Sequence, residues 1–285
     1  MHAPPTGLAD PENVRTPTGE QGLIPGDSLP TDRVPGHWLL ARLGKRVLRP
    51  GGRELTDLLL GSLDIGPDDD VVELAPGLGS TTELVLARNP ASYRGVDRDP
   101  VSTRRVAAVV AGPGRSVVHA SAAATGLPDS SADVAFGEAY LTMQPERLKR
   151  DVATELARIV RPGGRVGIHE VAFADDAIDD DRRSAVNSDL TASIKVSVRP
   201  ETVSGWVGLL SDAGFDVHER FTAPLHLLEP RRLVADEGIV GAARFGARVA
   251  LDSDARRRVL AMRSAMRANA ADLQALALTA TRRGR

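Results

Sequence analysis

Cysteine is absent from the chain of 285 residues, and aromatic side chains make up only 3% of it. The absence of cysteine excludes disulfides, thiolate metal sites and thiol catalysis. Because aromatic residues are so few, a core must be built from aliphatic side chains, which the hydrophobic share of 42% can supply. The length suffices for one large α/β domain or two small ones.

A large net charge and a long apolar run are also missing. The formal net charge of −2 predicts neither a nucleic-acid binder nor a polyanion mimic. No apolar run approaches the roughly 20 residues of a membrane span, and no apolar segment of a secretory signal follows the start. We therefore expect a cytoplasmic protein without stable membrane insertion.

Proline and glycine are concentrated at the start of the chain. Residues 1–36 hold seven prolines and five glycines but few large aliphatic side chains. Such a stretch buries too little surface to offset its ordering entropy, so we expect a disordered leader. The folded domain is predicted to span residues 37–285.

From residue 70 onward, strand-like and helical segments alternate. The apolar runs DVVELA, SYRGVD, RSVVHA, ADVAFGEA, RVGIHE and FDVHERF are typical of strands, and helical spacing separates most of them. Continuous apolar strands in a βαβ order predict a parallel sheet covered on both faces. Residues 229–270 interrupt the alternation with two predicted helices before the last strand, LQALALTAT. The alternation thus predicts an α/β fold with a doubly wound, mostly parallel sheet.

The stretch VVELAPGLGS carries the strongest functional signal. Gly77 and Gly79 follow a strand, where they allow a tight turn and close approach of a ligand to the backbone. A dinucleotide-binding turn would need a third glycine, but Thr82 stands there, and Glu73 would repel a pyrophosphate. Glu73 suits a positively charged head group instead, and Asp97 at the end of the next strand suits ribose hydroxyls.

These motifs resemble those of class I S-adenosylmethionine-dependent methyltransferases, over about residues 38–285. VVELAPGLG is similar to the family's E/D-x-x-x-G-x-G loop, YRGVD to its second-strand acid, LPDSSADVAF to its approach to strand four, and ELARIVRPGGRVGIHE to its turn into strand five. The resemblance implies a Rossmann-like, doubly wound, seven-stranded sheet that is mostly parallel, with an antiparallel last strand and an inserted helical lid. It also implies S-adenosylmethionine as cofactor. It implies cofactor contacts from Glu73, Ala75, Pro76, Gly77, Gly79, Asp97, Arg98, Ser121 and Ala122. Where the family often carries an aspartate that binds adenine, this chain has Ala120, Ser121 and Ala122, so only a neutral partner is available there.

Candidate catalytic residues lie at the ends of strands four and five. Methyl transfer has a neutral leaving group, so positioning supplies much of the rate and a general base is optional. A base would project from FGEAYLTM, which offers Glu138 and Tyr140, or from GIHE, which offers His169 and Glu170. Each of the four could equally make a structural hydrogen bond at a strand end. Since side chains alternate along a strand, only one of His169 and Glu170 should face the pocket.

Two further segments raise alternatives. The acidic stretch ADDAIDDDRR, residues 174–183, could be interpreted as a site for a divalent metal. Neighbouring acidic side chains in a loop point in different directions, however, so we expect a solvated loop and no metal. The late helices carry Val259, Met262 and Met266 on one face, which either packs on the sheet or roofs the pocket together with Trp38, Leu39 and Leu40.

The sequence therefore predicts methyl transfer to oxygen, nitrogen or carbon of a small, fairly apolar molecule. An RNA-modifying methyltransferase would use the arginine-rich end, which has ten arginines and three aspartates from residue 241 onward. It is disfavoured because only nine aromatic residues are available for base stacking. A second alternative is a non-catalytic protein that binds the cofactor, or has lost it, and serves as a partner or regulator. A nicotinamide oxidoreductase is a further alternative, against which Thr82 and Glu73 both argue. The oligomeric state stays open between monomer and homodimer.

Overall fold

One sheet organises the protein, for which the computed structural model describes residues 24–284. Its strand order is β3-β2-β1-β4-β5-β8-β7, and the short β6 pairs with β5. The strands are β1 (Asp70–Leu74), β2 (Ser92–Asp97), β3 (Arg115–His119), β4 (Ala132–Glu138), β5 (Val160–Phe173), β6 (Glu201–Thr202), β7 (Phe215–Pro224) and β8 (Leu273–Arg282).

The helices cover both faces of this sheet and the edge where its parallel strands end. They are α1 (Gly36–Arg42), α2 (Gly52–Leu63), α3 (Ser80–Leu86), α4 (Pro100–Val109), α5 (Glu146–Ile159), α6 (Asp180–Ile194), α7 (Val203–Asp212), α8 (Pro230–Leu251) and α9 (Ser253–Ala268). Helices α5 and α7 share one apolar cluster with the sheet, and α2, α3 and α4 share another with its opposite face. The doubly wound α/β fold is therefore confirmed.

The strand directions are also those predicted. Strands β1 to β5 pair in parallel, whereas β8 runs antiparallel to both β5 and β7. The two-residue β6 is an addition to the seven predicted strands. Strand order reverses between β1 and β4, and the crevice at such a switch point is where open α/β sheets bind ligands.

A third apolar cluster stands at the carboxyl ends of the strands. It joins residues of α1, α6, α8 and α9 to Phe173, which ends β5. Helices α8 and α9 lie between β7 and β8 in the chain and pack against each other. Gly238 breaks the helical geometry inside α8 with φ 72° and ψ 170°.

Two segments differ from what the sequence indicates. Within the predicted leader, residues 24–35 form turns, and Arg258 of α9 donates to the carbonyls of Thr31 and Val34. Residues 1–23 of that predicted leader lie outside the described residues. The acidic segment expected to be a loop instead leads into α6, because the Asp179 side chain accepts the Arg182 N–H and caps this helix.

A search of the described helices for membrane-spanning candidates finds none that is both long and apolar enough.

Candidate cofactor and acceptor site

A cavity of about 400 Å³ opens at the switch point between β1 and β4. This volume is within the usual range for small-molecule sites. The ends of β1, β2, β4 and β5 form one part, which we name the cofactor half. Apolar residues of α1, α5, α6 and α9, together with Leu48, Val171 and the segments after α6 and β7, form the other, which we name the acceptor half.

Several residues of the cofactor half have positive φ angles, which residues other than glycine rarely adopt. Gly77 and Gly79 have φ of 57° and 80°, and Ala75 and Ala139, which directly follow β1 and β4, have φ of 53° and 54°. A Cβ on Gly77 would lie 3.8 Å from the Trp38 ring, which also lines the cavity. Left-handed non-glycine residues cost of order 1–3 kcal/mol each and cluster at functional sites.

Asp97 ends β2 at the cavity wall, next to the glycine loop. Its two oxygens accept N–H groups of Gly77 at 3.1 Å and of Asp99 at 2.9 Å. Each carboxylate oxygen has a second lone pair, so Asp97 can still accept hydroxyl groups. Burial raises the pKa of Asp97, and the two N–H groups oppose that rise.

Glu73 lines the cavity but is already engaged with the protein. The hydroxyls of Thr82 and Tyr93 donate to the same oxygen at 2.7 and 2.5 Å. Burial raises the pKa of Glu73 to about 7 against these hydrogen bonds. One oxygen of the carboxyl therefore bonds Thr82 and Tyr93, and the other has no hydrogen bond of this kind.

All but one of the remaining predicted cofactor residues also line the cavity. Ala75, Pro76, Arg98, Ser121 and Ala122 all line it. The Ser121 hydroxyl accepts the N–H of Ala123 at 3.2 Å, which leaves its own proton free to donate. Thus Gly79 alone of the nine residues is not on the cavity wall, and it enters α3 instead.

Glu138 lines the cavity and lies at the centre of a buried polar network in the wall of the cofactor half. It accepts hydrogen bonds from Thr56 at 2.6 Å, Thr81 at 2.5 Å and His169 at 2.7 Å, and Arg49 stands 3.4 Å away. Burial would raise its pKa, but the Arg49 charge and the His169 hydrogen bond outweigh burial and lower it to about 2. Glu138 is consequently a carboxylate throughout the physiological range.

His169 belongs to this network and does not line the cavity. Its Nδ1 bonds Glu138, and its Nε2 lies 2.5 Å from the carbonyl oxygen of Pro50. A carboxylate and a carbonyl can only accept, so each of the two ring nitrogens faces an acceptor of the protein. The ring is fully buried and both of its nitrogens are hydrogen-bonded, so it is not placed to take a proton from an acceptor molecule.

Glu170 leaves β5 on the other face, as strand alternation requires, and braces the loop after β4. Its oxygens accept the N–H groups of Tyr140, Leu141 and Thr142 and the Thr142 hydroxyl, at 2.6–3.0 Å. Burial raises its pKa despite these four bonds. It lines the cavity, but its hydrogen bonds hold Tyr140 and Thr142 in position.

Tyr140 is the catalytic candidate with an unpaired polar atom. It lines the cavity and is 6% exposed, and its hydroxyl has no hydrogen-bond partner in the described part of the chain. Burial and the nearby Glu170 charge raise its pKa well above the usual value, so the hydroxyl stays protonated. Its ring packs on Gly137, where an added Cβ would meet Cε1 at 2.4 Å.

His37 is a cavity residue that the sequence did not indicate. It lies in the first turn of α1 beside Trp38, and its buried Nδ1 has no partner within residues 24–284. Burial and then the Arg98 charge lower its pKa to about 4, so it is neutral near pH 7. No motif surrounds it, and only its position next to an apolar helical stripe could have drawn attention to it.

The acceptor half is lined mainly by aliphatic side chains and methionines. Trp38 and Leu40 of α1 meet Met262 and Met266 of α9 across it, whereas Leu39 and Val259 pack behind the wall. The other aliphatic lining residues are Leu48, Leu148, Val152, Val171, Leu190, Ile194, Val196, Val198, Leu225 and Leu227.

The acidic segment after β5 lies apart from this cavity. Asp175, Asp176 and Asp179 accept backbone N–H groups of Ala177, Ser204 and Arg182. Within residues 24–284, no group of three or more histidine, aspartate or glutamate side chains has the arrangement of a metal site.

Comparisons with known proteins agree with this geometry. A family model described as "Methyltransferase domain" matches residues 71–164. An uncharacterised protein of Haemophilus influenzae is 33% identical over 210 residues, which cover 72% of this chain and 82% of that protein. "Methyltransferase GfsG" of Streptomyces halstedii is 27% identical over 176 residues, covering 60% and 62%.

A solved structure shows the same fold at low sequence identity. "Phospholethanolamine N-methyltransferase 2" of Haemonchus contortus, in complex with phosphomonomethylethanolamine and S-adenosylhomocysteine, superposes with a TM-score of 0.66. The match covers 91% of this chain and 59% of that one, at 12% identity. The matched domain contains the glycine loop, the second-strand acid and the turn into β5. The chain therefore belongs to the class I S-adenosylmethionine-dependent methyltransferases.

Proposed function

We propose that this enzyme binds S-adenosylmethionine in the cofactor half and methylates oxygen, nitrogen or carbon of a small, fairly apolar molecule in the acceptor half. One observation carries the proposal. A single cavity runs from the glycine loop at Gly77 to the methionines of α9 at Met262 and Met266. A donor and an apolar acceptor can therefore meet inside the protein, away from water.

The residues of the cofactor half suit a cofactor with a ribose and an adenine but no phosphate. Asp97 has lone pairs for ribose hydroxyls, and Ser121 can donate to an adenine nitrogen. Gly77 leaves open the space toward Trp38 that a Cβ would fill. Arg46, also on the cavity wall, has no ion pair among the described residues and suits a carboxylate.

When bound, S-adenosylmethionine supplies a methyl group on a sulfonium, whose departure as a neutral thioether needs no acid from the protein. This chain's own residues then have to position the acceptor and exclude water. Neutral His37 can accept a proton or hydrogen bond from an acceptor hydroxyl, and Tyr140 can donate to one. Glu138, His169 and Glu170 hold the walls in place by their hydrogen bonds.

We further propose that residues 37–285 act as one methyltransferase domain in which residues 229–270 form a lid. Met262 and Met266 contribute the roof of the acceptor half. Methionine is unbranched and adaptable, so this roof suits an apolar molecule of irregular shape.

The contacts of the late arginines argue against the RNA-modifying alternative. Arg263 and Arg267 pair with Glu229, Arg257 pairs with Asp254, and Arg258 donates to the carbonyls of Thr31 and Val34. Arginines held in this way are poorly placed to form a continuous phosphate-binding strip.

A labelling experiment separates the two acceptor classes. The purified enzyme and methyl-labelled S-adenosylmethionine are incubated with an extract of the producing cells, in one arm with its small molecules and in the other with its total RNA. We expect label in the fraction extracted by organic solvent, and we expect its loss in Ile194→Trp, which fills the acceptor half. Label in RNA, or equal labelling by the variant, would contradict the proposal.

A further inference from the structure

A buried ionic contact ties the inserted helix α8 to the segment that covers the cofactor half. We name Lys45, Asp236 and Glu237 the latch. Lys45 Nζ lies 3.3 Å from Asp236 and 3.6 Å from Glu237, and the side chains of all three are between 0% and 4% exposed. Desolvation lowers the pKa of Lys45, and the two carboxylates oppose this.

The latch holds backbone as well as charge. Glu237 Oε1 accepts the N–H groups of Arg46 and Val47, both at 2.9 Å, and Asp236 Oδ1 accepts that of Arg53 at 3.2 Å. The next residue, Gly238, leaves helical geometry. Beyond it, Ile239 and Val240 are 77% and 70% exposed. The polar contacts of α8 with this segment therefore lie before Gly238, where Arg232 also pairs with Asp236 at 3.1 Å and with Glu54 at 3.2 Å.

The segment held by the latch, residues 45–53, contributes directly to the cofactor half. Arg46, Arg49 and Pro50 line the cavity. Arg49 pairs with Glu138, and the Pro50 carbonyl accepts from His169. Glu138 in turn accepts from Thr81, in the first turn after the glycine loop. The backbone of residues 45–53 and these polar contacts thus connect α8 to the first turn of α3, which follows the glycine loop, and the Ser80 hydroxyl of that turn donates to the Arg46 carbonyl at 3.4 Å.

We propose that Glu237 is a positioning residue for cofactor binding, acting through residues 45–53 on the glycine loop. The proposal rests on the proposed cofactor site. Thermodynamic coupling between two sites is reciprocal. If the closed latch raises the affinity for the cofactor by some factor, cofactor binding must raise the equilibrium constant for latch closure by the same factor.

The first test compares S-adenosylhomocysteine affinity by calorimetry in matched variants. Glu237→Ala removes the acceptor of two N–H groups, and we expect the Kd to rise about 10-fold, within the usual range of coupling between sites. Glu237→Gln keeps a carbonyl oxygen for the same two groups, and we expect at most about a 3-fold change. The control is Asp69→Ala, because Asp69 also accepts a backbone N–H, from Gly66, and pairs with an arginine, Arg165, but at the opposite end of β1.

The second test needs no variant and decides the matter if Glu237→Ala does not fold. Hydrogen exchange of the Arg46 and Val47 amides is measured in the wild-type enzyme with and without S-adenosylhomocysteine, and we expect about 10-fold slower exchange in the complex. Unchanged exchange would overturn the proposal, as would a Glu237→Ala Kd within 2-fold of wild type, or an equal loss in Asp69→Ala. Failure of the wild-type protein to bind the ligand would refute the proposed cofactor site instead.

Discussion

Neutralising Glu138 should destabilise the fold more than most single substitutions, because one buried cation and three hydrogen-bonding side chains depend on it. In Glu138→Gln, Arg49 loses its carboxylate, and Thr56, Thr81 and His169 keep only one acceptor oxygen among them. Only 7% of the Glu138 side chain is exposed, so water screens these charges little.

Two routes give the same size of effect. The pKa of Glu138, about 2 against an ordinary 4.5, corresponds to about 3 kcal/mol in favour of the folded, ionised form. Removal of one partner from a buried ion pair costs about 3–5 kcal/mol in measured cases. We therefore expect Glu138→Gln to lower the free energy of unfolding at pH 7 by about 3 kcal/mol.

Urea unfolding at several pH values tests this reasoning. The folded pKa is below the unfolded one, so this stabilisation is present above about pH 4.5 and is lost as the pH falls toward 2. The difference between wild type and variant should shrink over that window. Glu146→Gln serves as control, since the Glu146 side chain is 70% exposed and should change stability by less than about 0.5 kcal/mol. A loss below about 1 kcal/mol at pH 7, or a difference that does not depend on pH, would refute the account.

Three further predictions concern residues around the same site. The pKa of Glu73 in the folded state is about 7, above the unfolded value, so its contribution to stability is full below pH 4.5 and is lost as the pH rises through 7. Between pH 4.5 and 8, the free energy of unfolding of wild type should therefore fall by about 3 kcal/mol relative to that of Glu73→Gln. Parallel plots of the two free energies against pH would contradict this. Ser121→Asp supplies a charged acceptor for the adenine amino group and should tighten S-adenosylhomocysteine binding several-fold by calorimetry, whereas weaker binding would show that Ser121 is not at the adenine. Gly137→Ala places a Cβ 2.4 Å from the Tyr140 ring and should cost about 1–3 kcal/mol of stability, and an unchanged urea midpoint would show that the ring moves freely.

The fold could be predicted from the sequence because local signals agreed with it. The apolar strands, the glycines of VVELAPGLGS and the turn at RPGG are all contiguous in the chain. Helix α6 was missed because only Val186 and Leu190 are buried along its 15 residues, which is too few for a helical period. Its acidic start resembled a loop, although Asp179 is the cap.

The details of the site depend on contacts between distant residues and could not be predicted. Glu138 meets Arg49, Thr56, Thr81 and His169 only after folding, and each of these looks ordinary in its own segment. Alternation along β5 correctly indicated that the His169 and Glu170 side chains leave the strand on opposite faces. Their hydrogen bonds, to Glu138 and Pro50 and to the loop after β4, could not be predicted from the strand alone. How well the nine predicted cofactor residues bind their ligand stays a prediction.

Calorimetric titration with S-adenosylhomocysteine, NAD and NADP tests the central claim most directly, with Asp97→Ala beside wild type. The account predicts micromolar binding of S-adenosylhomocysteine alone, about −8 kcal/mol, and at least about a 10-fold loss in Asp97→Ala. Absence of binding by the folded wild-type protein, or binding of NAD instead, would contradict it.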